Sequence, residues 1–421
     1  MVDGKLMRRP FRIIVSAILI LVGCWTVHYH WPQRSIRFHS YSYSEEEARQ
    51  LSSHPEAQYA HGMHAWLQQQ PERAARFFRQ AVSQDVLFFD AWLRLAETEA
   101  AAGRNEKARA ILAFTAGMTD QVFRWKWSQM VLARELGMEK YLYRNTNYLL
   151  SRKVLEQDAL QLLHTHLGGE APAVLAVLEP ENRAAYLDWL MRWGLTDESL
   201  TVWQAMTAGA EPDRETALRV AHFLVVHKRI AESMDIWRKY TGICGLTNPG
   251  FEAEITGLGF DWYHWGEKDG NWDLKRVETE AVEGNYALKI TFNGHKNISF
   301  QHLHQIFEVT PQEKYRLTYA WKSNWITTDE GPFVEVVGYD QQGLYRAGPM
   351  ITGTQGWQEE SIEFEVPADC HAAVVRLRRR TSMRFDAKIR GTVWLDNFRL
   401  VRIETGVRKA DGNGTNHLQP G

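Results

Sequence analysis

Asn248-Pro249-Gly250-Phe251-Glu252 and Gly391-Thr392-Val393-Trp394-Leu395-Asp396-Asn397-Phe398 bracket a run of short apolar segments rich in Trp, Tyr and Phe. Inside the bracket stand Gly284-Asn285-Tyr286-Ala287-Leu288-Lys289-Ile290, Tyr315-Arg316-Leu317-Thr318-Tyr319, and Gly356-Trp357-Gln358-Glu359-Glu360 leading to Phe364-Glu365-Val366-Pro367. Their alternation of apolar and polar residues predicts strands over 286–292, 297–309, 315–321, 333–339, 360–366, 373–379 and 392–403. That is most of an eight-stranded double sheet. Immediately upstream, Gly242, Gly245, Pro249 and Gly250 end a long helix-favouring region. Helices first and strands afterwards predict separate domains, α then β, rather than one α/β sheet.

In order and spacing, these motifs resemble the jelly-roll carbohydrate-binding modules appended to many glycanases, the xylan- and glucan-binding type of the galactose-binding-like superfamily. The resemblance covers more than a third of the chain and implies a β-sandwich jelly roll over 241–404. It also implies a structural Ca²⁺, held by the carboxylates of Glu252 and Asp396 with a backbone carbonyl from the loop at Gly284. Ca²⁺ takes about six to eight oxygens, so acids from distant loops would tie the sheet ends together. The same acids read without the resemblance would cap turns or pair with arginine.

Glycan binding needs an aromatic face for the C–H side of a pyranose and planar polar groups for its hydroxyls. Trp262, Trp265 and Trp272 fall in a Gly/Asp-rich connection, where three indoles are hard to bury. Trp321 and Trp325 flank Asn324 at a strand end. If Val334 and Val336 point inward, Glu335 and Tyr339 look out over the concave sheet. These eight residues form the expected saccharide site. Trp357 and Trp394 match packing positions of the family, and His302-x-His304 offers only two metal ligands on one strand face.

Residues 45–240 are dominated by Ala, Leu, Glu, Gln and Arg with helical spacing. They repeat at an offset of 34: Gln58 and Trp92, Gly62 and Ala96, Ala74 and Ala108, Phe78 and Leu112, then Ser199 and Ser233, Trp203 and Trp237. This pattern resembles the tetratricopeptide repeat. It implies an α-solenoid of stacked hairpins with a concave surface for a protein partner. The match is good over 55–122 and acceptable over 185–240, while the middle, with Trp125, Trp127 and Gly137, reads as degenerate. Trp66, Trp92, Trp125, Trp189, Trp203 and Trp237 have core spacing, and His164-x-His166 is a poor metal pair.

Lys5, Arg8, Arg9 and Arg12 precede an apolar stretch, and Trp25, Tyr29 and Trp31 close it. Counted over 11–29, it reaches the length of a transmembrane helix, about 17 to 25 residues. Its basic flank places the N-terminus in the cytoplasm and the bulk in a bacterial periplasm. Leu21-Val22-Gly23-Cys24 resembles a lipobox, so acylation of Cys24 is the alternative to a single-pass inner-membrane anchor. The expected layout is therefore a tip and anchor over 1–32, a linker over 33–44, the repeats, the jelly roll, and a disordered tail over 405–421.

The net charge of −2 over 421 residues gives no field to recruit nucleic acid. Three Cys do not make a disulfide framework, although Cys244 and Cys370 remain a candidate pair. No P-loop, Gly-x-Ser-x-Gly, His-Glu-x-x-His or Cys-x-x-Cys motif is present. The expectation is a non-enzymatic scaffold whose jelly roll holds a polysaccharide. Such a pairing resembles the helical-repeat scaffolds of exopolysaccharide secretion. A pure protein–protein scaffold is the alternative.

Overall fold

The computed structural model describes residues 54–403, except 210, 266–269, 340–341, 384 and 386. The expected anchor at 11–29, Cys24, the linker 33–44 and the tail 405–421 lie outside the described residues. Among the described residues, no helix is long and apolar enough to cross a membrane. The chain divides into two compact units between Met206 and Thr207.

The first unit is built of helical hairpins: α1 (Pro55–Leu67) with α2 (Pro71–Gln84), α3 (Phe89–Ala101) with α4 (Asn105–Met118), and α5 (Lys126–Glu135) with α6 (Glu139–Ser151). The bounds of α1 and α2 recur 34 residues later in α3 and α4, and α6 begins 34 residues after α4. The middle that reads as degenerate therefore contains a third hairpin in register. Its reason is a size exchange at one crossing point. Gly62 lies so close to Phe78 that an added Cβ would stand 2.5 Å from the ring. In the next repeat Ala96 and Leu112 occupy these positions, both fully buried in one core cluster. In the third repeat they are Met130 and Thr146, with Thr146 Oγ1 3.2 Å from Met130 Sδ. As the first residue grows the second shrinks, and close packing requires their sum to hold.

The register then breaks. The position 34 residues after Thr146 is Pro180, which cannot sit inside a helix because it lacks an N–H and crowds the preceding turn. After α7 (Glu156–His166), the helix α8 (Ala171–Val177) accordingly stops short of it. Asn147 ties the break down: its side chain accepts from the Glu179 amide at 2.8 Å and donates to the Val177 carbonyl at 2.9 Å. Two more helices, α9 (Arg183–Arg192) and α10 (Thr196–Gly209), follow, and the unit boundary falls within α10.

The second unit opens with the hairpin α11 (Arg214–Val226) and α12 (Ile230–Thr241). Asp213 caps α11, accepting from the Thr216 amide at 2.9 Å. Ten strands follow: β1 (Trp262–His264), β2 (Trp272–Val277), β3 (Ala287–Asn293), β4 (Phe300–Glu308), β5 (Lys314–Ile326), β6 (Phe333–Gly338), β7 (Tyr345–Ala347), β8 (Gly353–Glu365), β9 (Ala372–Arg379) and β10 (Arg390–Ile403). They form two five-stranded antiparallel sheets, ordered β1-β4-β9-β6-β7 and β2-β3-β10-β5-β8. All seven expected strands are present. The three unforeseen ones, β1, β2 and β7, are short or lie at sheet edges.

The two bracketing motifs meet. Phe398 donates its amide to the Pro249 carbonyl at 3.0 Å, and Phe251, Trp262 and Phe398 pack ring against ring at 5.0–6.0 Å. All three are at most 2% exposed, and they anchor the sandwich core. Cys244 is exposed and Cys370 buried, and the two are separate thiols rather than a disulfide.

Candidate functional site

The pleat of the β1-β4-β9-β6-β7 sheet sends Leu303, Phe307, Val334, Val336, Val375 and Leu377 into the core. The alternate residues form its outer face, and the strand register sorts them into rows. One row runs Tyr263–His304–Arg376–Glu335–Ala347 across all five strands. The next, toward the chain ends of β1 and β9, contains Trp265, whose amide donates to the His302 carbonyl at 3.2 Å, and Arg378 opposite Phe333. On the other side lie Ile306–Val374–Val337 and then Glu308 with Ala372.

That second pair of rows is covered by the chain itself. Lys228, in the turn between α11 and α12, sits 3.2 Å from the centre of the Tyr339 ring and donates to the Tyr339 carbonyl at 2.6 Å. The Tyr339 hydroxyl in turn donates to the Val225 carbonyl at 3.2 Å. Arg238 of α12 pairs with Glu308. His222 meets the Tyr263 hydroxyl at 3.1 Å. Ile306 and Val374 are thus 3% and 7% exposed although they point away from the sandwich core.

Among the described residues nothing covers the row of Trp265, and Trp265 itself is 54% exposed. Its ring packs against His304 at 5.0 Å and edge-on against His302 at 6.2 Å. His304 also stacks nearly parallel on Tyr263 at 5.0 Å. Burial, and secondarily the Arg376 charge, push His304 down to about 4, so its ring is neutral near pH 7. Arg376 is fixed by Glu335, Nε to Oε1 at 2.5 Å, and Arg378 by Gln301 at 2.9 Å. Arg380 reaches the Tyr345 hydroxyl at 2.8 Å and lies over Phe333. One indole face beside fixed guanidinium and imidazole groups can stack a sugar ring and bond its hydroxyls.

The expected saccharide residues divide sharply. Trp262, Trp272 and Trp321 are 1%, 7% and 4% exposed and belong to the core, which corrects their assignment. The connection expected to hold the first two instead forms β1 and β2, and pairing turns both indoles inward. Trp321 follows Leu317 and Tyr319 on the inner side of β5. Glu335 does lie on the outer face but is 1% exposed, committed to Arg376. Tyr339 is taken by α11. Asn324 and the 73% exposed Trp325 are at the end of β5 in the opposite sheet, so they do not join Trp265. His302, His304, Arg376, Arg378 and Tyr263 were not foreseen as a group. The signal for them was the His-x-His spacing on one strand together with the Arg-x-Arg of β9.

Glu252, Gly284 and Asp396 do converge. Glu252 Oε1 accepts from the amides of Asn285 at 2.9 Å and Tyr286 at 3.0 Å, and Gly284, at φ +72°, packs against its carboxylate with no room for a Cβ. Asp396 is fully buried and accepts from the Val282 amide at 2.7 Å and the Asn397 amide at 2.6 Å. Burial raises the Asp396 carboxyl, its amide bonds oppose that, and the Glu252 charge adds to the rise. The Tyr286 amide, foremost, lowers Glu252. Among the described residues, no cluster of three or more His, Cys, Asp or Glu is arranged for a metal ion. Two neighbouring carboxylates fit a hard cation only if loop carbonyls complete the set.

Residues 65–114 match the tetratricopeptide repeat family. Among solved structures, the sandwich is similar to a family 16 carbohydrate-binding module: 19% identity, 37% of this chain and 98% of that one, TM-score 0.27. It is also similar to the CBM22-1 xylan-binding domain from Paenibacillus barcinonensis Xyn10C: 14% identity, 37% and 93% coverage, TM-score 0.25. A Stig cyclase from Fischerella sp. TAU is similar at 14% identity, with 38% and 98% coverage and a TM-score of 0.26. No curated protein sequence matches the chain.

Proposed function

We propose that this protein is a non-enzymatic scaffold anchored in a bacterial inner membrane, in which the helical repeats dock a protein partner and the sandwich holds a polysaccharide. The anchor in this reading is 11–29, with acylation of Cys24 as its alternative, and the bulk is periplasmic. The process it serves is assembly or export of an extracellular polymer. The observation that carries the glycan part is the open row of Trp265, with His302, His304, Arg376 and Arg378 around it. For the protein partner, the support is a groove of about 540 Å³ lined by Trp66, Arg94, Glu97, Val131 and Glu135, from α1, α3 and α5. Arg94 and Glu97 pair there at 2.6 Å, giving a partner both a charge and an indole face.

Affinity electrophoresis of the full chain through gels containing xylan, β-glucan or galactan tests the glycan assignment. Retardation in one of them, reduced about tenfold in affinity by Trp265→Ala, is expected from the loss of the stacking face. No retardation in any gel favours the second reading, a protein–protein scaffold. The observation on its side is that α11 and α12 already cover two rows of the outer face.

A further inference from the structure

The outer face of the β1-β4-β9-β6-β7 sheet carries more positive charge than its own carboxylates neutralise. Along β9, Val375, Leu377 and Arg379 are buried, while the alternate residues Arg376, Arg378 and, just past the strand end, Arg380 lie on the outer face. The five strands of this sheet hold two carboxylates, Glu335 and Glu308. Arg376 engages the first and Arg238 of α12 the second. Among the described residues, Arg378 and Arg380 meet neutral oxygens only. Arg380 donates to the Tyr345 hydroxyl at 2.8 Å. Arg378 makes all three of its bonds through one nitrogen, Nη1: to Gln301 Oε1 at 2.9 Å, the Ser299 hydroxyl at 3.2 Å and the Phe300 carbonyl at 3.5 Å. Among the described residues its Nε and Nη2 make no bond, and neither is enclosed by protein.

Nε and Nη2 form the edge of a guanidinium whose two parallel N–H groups match the two oxygens of an oxyanion. A bulge in β4 sets that edge near the indole. Between the pairs Phe300–Arg379 and Leu303–Leu377, two β4 residues, Gln301 and His302, stand opposite Arg378 alone. On the other side of β4, the Trp265 amide donates to the His302 carbonyl. Trp265 and Arg378 thus flank β4, two strand spacings or about 10 Å apart, a span that neighbouring sugars of one chain can bridge. We propose that the polysaccharide held on this face is acidic: one sugar ring stacks on Trp265, and an oxyanion of the same chain, a uronate carboxylate or a sulfate ester, accepts from Nε and Nη2 of Arg378. This assignment rests on the glycan reading above and names the class of glycan within it. A neutral chain satisfies the indole but leaves the guanidinium edge to water.

Affinity electrophoresis of the full chain against matched pairs of polymers tests the proposal. Glucuronoxylan and polygalacturonate are each compared with their carboxyl-reduced forms, and dextran sulfate with dextran. The acidic member of at least one pair is expected to bind about tenfold more tightly than its neutral partner, from two hydrogen bonds to a charged group. Which pair shows the preference separates carboxylate from sulfate. Arg378→Gln is expected to abolish the preference and leave retardation by the neutral polymer unchanged, whereas Trp265→Ala weakens both members. Arg378→Lys keeps the charge without the fork and is expected to restore only part of the preference. Thermal melts matching the parent, with unchanged binding of the neutral polymer, separate loss of the pair from loss of the fold. Equal affinity for both members of every pair overturns the acidic class while leaving the glycan reading standing, and no retardation by any polymer overturns both. A preference that survives Arg378→Gln overturns the assigned edge, and full recovery in Arg378→Lys overturns the bidentate pairing.

Discussion

Acidification should loosen the β4–β9 pair through His304. The ring is packed by Tyr263 of β1 and by Trp265, with Arg376 opposite on β9 and Glu335 beyond it on β6. His222 of α11 stands on the far side of Tyr263, and burial lowers it as well. Because His304 titrates at about 4 in the fold and near 6.5 when unfolded, the unfolded chain binds the extra proton first. Its contribution is therefore complete above pH 6.5 and is lost as the pH falls through the window from 6.5 to 4. Between pH 7 and 4.5 the linkage relation gives a loss of about 2 kcal/mol, or roughly thirtyfold in the opening equilibrium. Other acids titrate in the same window, so the reading must be differential. Hydrogen–deuterium exchange of β4 and β9 peptides reports local opening. Comparing the parent with His304→Gln at each pH cancels intrinsic exchange rates. The parent is expected to lose about thirtyfold more protection than the variant on acidification. Parallel loss in the two chains would refute the idea that burial beside Arg376 holds this ring neutral.

Other expectations follow from particular contacts. Gly62→Met should cost about 2–3 kcal/mol by driving a side chain into Phe78, and Phe78→Thr should offset most of it by reproducing the Met130–Thr146 pair, as a thermal-melt double-mutant cycle would read. Lys228→Ala removes the cation over Tyr339 and a hydrogen bond, so α11 peptides should exchange faster by about 1 kcal/mol of local opening. If Ca²⁺ binds where Glu252 and Asp396 meet, adding it after chelation should raise the melting temperature of the parent, and Glu252→Gln should abolish that rise. A rise that persists in the variant would place the cation elsewhere.

Period and turn residues carried the strands because a sandwich strand must alternate, and the alternation is written in the side chains. β1 and β7 have three residues each, too few for alternation to show. The third hairpin was hidden for a different reason. Repeat reading looks for the same residue type at the same offset, whereas packing conserves the combined volume of two facing residues. Gly62 with Phe78 and Met130 with Thr146 satisfy one constraint with opposite choices, which position-by-position comparison scores as divergence. Glu252, Gly284 and Asp396 came through the family resemblance rather than from the residues alone, and the meeting of the chain's bracketing segments brings them near one another.

The saccharide residues were harder, since alternation assigns a side chain to the outside of a sheet but says nothing about what lies over it. Val334 and Val336 do point inward, and Glu335 does look outward, yet burial reaches 1% because Arg376 and the covered rows beside it exclude water. The cover comes from α11 and the turn after it, whose Val225 and Lys228 lie more than a hundred residues before Tyr339. No window of sequence around β6 contains that fact. The same contact sets the dimensions of any ligand on this face. Among the described residues, a chain crossing the strands over the row of Trp265 meets no obstacle, whereas one running along the strands toward Glu308 meets Tyr339 and α11 after a single row. A glycan held here must therefore lie across the strands, or end against the helix.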